Sequence, residues 1–97
     1  MSESDLVAKI KARLKKLPKA YFIKIHGDMY LIGEPDIIGC IAGRMVVIEL
    51  KMPGEVPSGN QMAHLENWRR AGALAFWATS WEDVAYMLKC KEIDCGG

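Results

Sequence analysis

The chain has 97 residues, 51% of them hydrophobic and 26% charged, with a formal net charge of +1. That balance excludes a disordered chain, whose hydrophobicity is low and net charge high, and the length is that of one domain spanning 1–97. No apolar run approaches the ~18–20 residues of a membrane span, and Glu3 and Asp5 precede the first lysine where a secretory leader would be basic, so a cytoplasmic location is expected.

Ser2 to Asp5 supply capping hydroxyls and first-turn acids, and Leu6, Ile10, Leu14 and Leu17 then recur at helical spacing up to Pro18, which predicts a first helix. Its polar positions are basic. Lys9, Lys11, Arg13, Lys15 and Lys16, with Lys19 and Lys24 beyond, hold seven of the thirteen Lys and Arg residues, a face that suits a polyanion and that a merely solvated helix would also show. Ala20 to Ile25 is β-prone and is ended by His26-Gly27-Asp28. After Tyr30-Leu31-Ile32, the turn Gly33-Glu34-Pro35 leads into Asp36 to Ile41, and Ala42-Gly43-Arg44 separates this run from Met45 to Leu50, predicting a β-hairpin.

Met52 to Ser58, with Pro53, Gly54 and Pro57, reads as a loop. Ser58 or Asn60 then caps a helix reaching Arg70, with Gly72 as its C-cap. Leu74 to Ala78 is a short buried strand, and Ser80 followed by Asp83 opens a last helix with Val84, Met87 and Leu88 on one face. The Cys95-Gly96-Gly97 end is expected to fray. Cys40, Cys90 and Cys95 form no C-x-x-C pair and lie apart from His26 and His64, which argues against a zinc site or a disulfide framework. Trp68, Trp77 and Trp81 are candidates for core or for a subunit interface.

Glu49 and Lys51 stand two apart on a strand, so their side chains share a face. A carboxylate and an ammonium closing the apolar run Met45-Val46-Val47-Ile48 are costly to bury without partners. Hairpin arithmetic supplies one. A loop of Ala42-Gly43 puts Asp36 opposite Glu49, a loop of Gly43-Arg44 puts it opposite Lys51, and a three-residue loop puts it opposite Leu50; register decides whether Asp36 shares their face. Two carboxylates held close repel unless a cation joins them, and oxygen ligands are those that magnesium and manganese prefer. A lysine beside such a pair suits phosphodiester hydrolysis. A cross-strand salt bridge at a sheet end has the same spacing.

Gly33-Glu34-Pro35-Asp36 followed by Glu49-Leu50-Lys51 resembles the P-D…(D/E)-x-K signature of the restriction-endonuclease-like nucleases. With Lys24-Ile25-His26-Gly27 before it and Gln61 at the next helix start, the chain more narrowly resembles the virus-type replication-repair nuclease (VRR-Nuc) family, from Glu3 to about Ser80. The resemblance implies an α/β fold of order α-β-β-β-α-β-α, its mixed sheet flanked by helices. It implies that Glu3, Asp36, Glu49 and the Leu50 carbonyl hold Mg2+ or Mn2+, that Lys51 acts on the attacking water, and that Gln61 contacts the scissile phosphate. Lys24 and His26 match the family's motif before the hairpin and, with Lys11, Lys15 and Lys16, are candidate DNA contacts. The family module is often fused to further domains. Standing alone, this chain is similar to the small phage-type members, which are similar to Holliday-junction resolvases and act as homodimers, so a homodimer acting on branched DNA of the Holliday-junction type is expected. The competing expectation is a non-catalytic nucleic-acid-binding module of the same fold.

Overall fold

A computed structural model describes residues 1–25 and 33–90, the Cys90 side chain excepted. His26, Tyr30 to Ile32 and the Cys95-Gly96-Gly97 end, on which several expectations fall, lie outside the described residues. The elements run α1 (Glu3–Leu14), β1 (Ala20–Lys24), β2 (Ile37–Ile41), β3 (Arg44–Leu50), α2 (Gly59–Arg70), β4 (Leu74–Ala78) and α3 (Trp81–Cys90). That is the expected order.

The strands form one sheet, β1-β2-β3-β4, antiparallel from β1 to β3 and parallel between β3 and β4. A parallel pair cannot be closed by a tight turn, and α2 is the crossover that joins β3 to β4. Strand parity then sorts the side chains into two clusters. Val46, Ile48 and Leu50 of β3 join Leu6, Ile10 and Leu14 of α1 and Val84 and Leu88 of α3, whereas Val47 joins Leu65 of α2 with Ala73 and Ala75. The sheet is therefore covered by α1 and α3 on one face and by α2 on the other. The three tryptophans are half-buried at the margins of these clusters, Trp81 on the first and Trp68 and Trp77 on the second.

Local chemistry explains the ends of the elements. Ser2 and Asp5 form a capping box at α1, Ser2 Oγ accepting from the Asp5 N–H at 3.1 Å and Asp5 Oδ2 from the Ser2 N–H at 3.0 Å. Ala71, not Gly72, is the C-cap of α2, and Gly72 follows it at φ +105, where a side chain would be strained. β1 stops at Lys24 rather than Ile25, although the Ile25 N–H still donates to the Asp36 carbonyl at 2.8 Å. The hairpin loop is Ala42-Gly43, with Ile41 opposite Arg44 and positive φ at both loop residues, +49 and +86, as a type I′ turn requires. Gly39 stands opposite Phe22, and a Cβ there would run into the Phe22 ring and the Tyr21 carbonyl.

Candidate metal centre

The two-residue loop settles which of the three registers the hairpin adopts. Ile37 pairs with Ile48, so one step further Asp36 falls opposite Glu49, at the carboxyl end of β3. Because β2 has ended there, the Leu50 N–H has no strand partner and donates instead to Asp36 Oδ2 at 2.7 Å. The N–H and C=O of one strand residue leave the chain on the same side, so the Leu50 carbonyl faces this gap as well.

Glu49 shares the face of Val47, under α2, and is 2% exposed, the one buried charged residue among those described. Its Oε1 accepts from Gln61 Nε2 at 3.1 Å, while its Oε2 has no hydrogen-bond partner. Buried oxygens without a donor are uncommon and costly. Glu3, in the first turn of α1, completes the group: one carboxylate oxygen each from Glu3, Asp36 and Glu49 lies within 4.8 Å of the others. Burial, then the nearby Asp36 carboxylate, push the Glu49 carboxyl up to about 9; Glu3 adds to the rise and the Lys51 ammonium opposes it. Lys51 continues the strand pairing, its N–H donating to the Ala78 carbonyl at 2.9 Å.

These residues fit a hard divalent cation. The donors are all oxygen, Glu49 keeps an oxygen that no protein group satisfies, and the proton needed to hold the trio together is what a cation replaces.

Sequence reasoning missed what holds these carboxylates. Ser58 caps α2 in a second capping box, its N–H donating to Gln61 Oε1 at 2.8 Å and its Oγ accepting from the Gln61 N–H at 3.2 Å. The S-x-x-Q spacing signals that box, but nothing in the spacing signals the onward bond to Glu49. Glu34 Oε1 lies 3.8 Å from His64 Nδ1 of α2, and Gly33, at φ +88, sits where a Cβ would meet the Asn60 backbone at 2.8 Å. The segment carrying Asp36 is thus clamped onto the start of α2.

The candidate DNA contacts are spread out. Lys24, half-buried, lies at the end of β1 that pairs with Ile37 and so near Asp36. Lys11 is half-buried and Lys15 and Lys16 are exposed, but the last two stand about 18 Å along the α1 axis from Glu3 at 1.5 Å per residue. Arg13 is engaged otherwise, its guanidinium lying 4.8 Å over the Trp81 ring.

No family model matches the chain, and no curated protein matches it. A solved structure described as "VRR_NUC domain" does, with a TM-score of 0.73 at 22% identity over 90% of this chain and 94% of its own. The chain therefore has the fold of a VRR_NUC domain, a restriction-endonuclease-like mixed sheet between helices. Among the described residues no helix is long and apolar enough to cross a membrane.

Proposed function

We propose that the chain is a Mg2+- or Mn2+-dependent endonuclease that hydrolyses phosphodiester bonds in branched DNA, acting in the cytoplasm. The observation that carries this reading is the trio Glu3, Asp36 and Glu49, together with a buried Glu49 oxygen that has no donor. Each of two ligands has one oxygen held by the protein and offers the other: Asp36 is held by Leu50, Glu49 by Gln61. What a hard divalent ion supplies when bound there is Lewis acidity, which lowers the pKa of water and offsets charge on the phosphoryl oxygens.

The remaining work falls to the chain's own groups. Lys51, close enough to Glu49 to draw its pKa down, holds an ammonium where the attacking water or a phosphate oxygen arrives. Gln61 spends one amide hydrogen on Glu49; the second is free for the scissile phosphate, beside the backbone donors of the α2 start. Lys24 and Lys11, with Lys15 and Lys16 just past the end of α1, are the proposed contacts to the DNA backbone. A pure binding module is disfavoured, because Glu3 and Asp36 beside Glu49 gather acids where a polyanion would lie, and they repel it unless a cation is bound.

The proposed substrate is a four-way junction of the Holliday type, and the proposed assembly a twofold homodimer, since one site opens one strand and resolution needs two cuts. Purified protein incubated with labelled four-way junction, flap, duplex and single-stranded DNA tests this. Paired nicks near the branch, and nicking without resolution by mixed dimers of active and Glu49→Gln subunits, are expected. Equal cutting of all substrates refutes the branched-DNA reading. A monomeric mass with and without DNA refutes the dimer.

A further inference from the structure

Past the carboxyl ends of the parallel pair β3 and β4 lies a cavity of about 260 Å³, walled by Leu6, Lys9, Met52, Pro53, Trp81 and Glu82. In open α/β sheets, the crevice beyond the strand ends is where ligands settle. The cavity adjoins the metal centre along the chain, since Met52 follows Lys51 and Leu6 stands one turn after Glu3 on α1. Its residues play no part in the chemistry proposed above.

We propose that this cavity takes one unstacked nucleobase of the bound DNA strand, next to the phosphate at the metal centre; the proposal rests on the nuclease reading. The size agrees, because about 260 Å³ falls just below the ~300 Å³ at which pockets for drug-sized ligands begin, enough for one ring system. The walls are mostly apolar and partly aromatic, the surface on which bases stack irrespective of their sequence. Polar groups are few and placed to serve a base edge. Glu82 offers an acceptor to an exocyclic amine, and Ser80, whose Oγ accepts from the Asp83 N–H at 3.2 Å, keeps its own hydroxyl hydrogen to donate. Thr79 is not available in this way, its hydroxyl lying 3.0 Å from Asp83 Oδ2.

Charge distinguishes a base from a phosphate as the occupant. The Glu82 carboxylate in the wall opposes an anion inside the cavity. Lys9, exposed at the rim, places its cation for a backbone phosphate that flanks the base. Unstacking a base costs least where it already lacks a partner or a neighbour, as at a branch point. The cavity thereby links branch recognition to the cutting position, because only a strand that can surrender a base seats its next phosphate at Asp36 and Glu49.

The test uses a flap duplex carrying 5-iodouracil at successive nucleotides around the branch, one position per substrate, bound by the full chain with chelator present and then irradiated. Mass spectrometry of the cross-linked peptide reads the contact, and affinities for flap and uninterrupted duplex are measured alongside. One nucleotide cross-linking to Met52 or Trp81 is expected, together with a preference for flap over duplex that drops about tenfold in Met52→Trp, which fills the cavity, a loss in the range of one stacked base. Lys9→Glu, at an exposed position, must weaken flap binding too. Cross-links confined to other surfaces, or an unchanged preference in a folded Met52→Trp protein, overturn the cavity proposal while cleavage by the wild type leaves the nuclease reading standing. A wild-type chain that neither binds nor cuts DNA overturns both.

Discussion

The Gln61 side chain donates its amide hydrogen to Glu49 Oε1 at 3.1 Å while its own oxygen accepts the Ser58 N–H at 2.8 Å. Of the residues that complete a capping box, glutamate can accept but not donate, and only the amide does both at once. The start of α2 and the buried carboxylate are therefore one hydrogen-bonded unit. It fixes Glu49 Oε1, whereas Oε2 is left without a donor.

Replacing Gln61 separates the two tasks. Gln61→Glu keeps an acceptor for the Ser58 N–H, so α2 should melt nearly as in the wild type, but it removes the donor to Glu49 and sets a further negative charge beside it. Cleavage should fall by ~10-fold or more. Gln61→Leu should lose activity as well and also cost about 1 kcal/mol of stability through the lost cap. Thermal melts and initial rates on the same preparations check both outcomes.

The raised pKa of Glu49 makes a signed statement about stability. Between 4.5, its ordinary value, and about 9, the folded metal-free chain holds a proton that the unfolded chain has released. This contribution is complete below 4.5 and is lost as pH rises through about 9. The cation needs the deprotonated carboxylate, so its affinity should climb over the same window and its binding should release a proton. Melting curves from acid to alkaline pH, with chelator and with Mn2+, should diverge towards high pH. In Glu49→Gln the pH slope due to this group should vanish.

Gly33 is a test of how Asp36 is held. Gly33→Ala strains a residue at φ +88 and drives a Cβ to 2.8 Å from the Asn60 backbone, so the Gly33–Asp36 segment must lift from α2. Metal affinity and cleavage should fall by about tenfold or more, while the core clusters, which this residue does not enter, keep the chain folded. An unchanged metal titration contradicts the clamp.

The hairpin loop allows a gain instead. Ala42 occupies φ +49, a conformation that Asn tolerates better than Ala, so Ala42→Asn should raise stability by about 0.5–1 kcal/mol without altering cleavage. Chemical denaturation measures it.

For DNA binding, neutralising Lys15 and Lys16, both exposed, should lower the slope of log affinity against log salt by roughly 0.9 for each phosphate the pair neutralises in the wild type. An unaltered slope makes that end of α1 a solvated face.

Much of this fold is legible along the chain because its signals are local. The periodicity of Leu6, Ile10 and Leu14 marks α1, and all three are buried where the pattern puts them. Asp36 could be placed at the carboxyl end of β3 but not on a face, since loops of Ala42-Gly43 and of Gly43-Arg44 differ by one residue, and Ala is a poor advertisement for positive φ. The Gln61 bond to Glu49 spans twelve residues through the packing of α2 on β3, and the stacking of Arg13 on Trp81 joins the first helix to the last. Neither has a signal in spacing, because each depends on how finished elements pack.

Whether Glu3, Asp36 and Glu49 form a cation centre that cuts DNA with Lys51 is read most directly from the initial rate of strand cleavage in a labelled four-way junction against Mn2+ concentration, for the wild type and for folded Asp36→Asn, Glu49→Gln and Lys51→Ala. A rate that saturates with Mn2+, is zero in chelator and falls ~10²-fold or more in each variant is the predicted result. Cleavage that survives chelator, or near-normal rates in any one of the three variants, contradicts it.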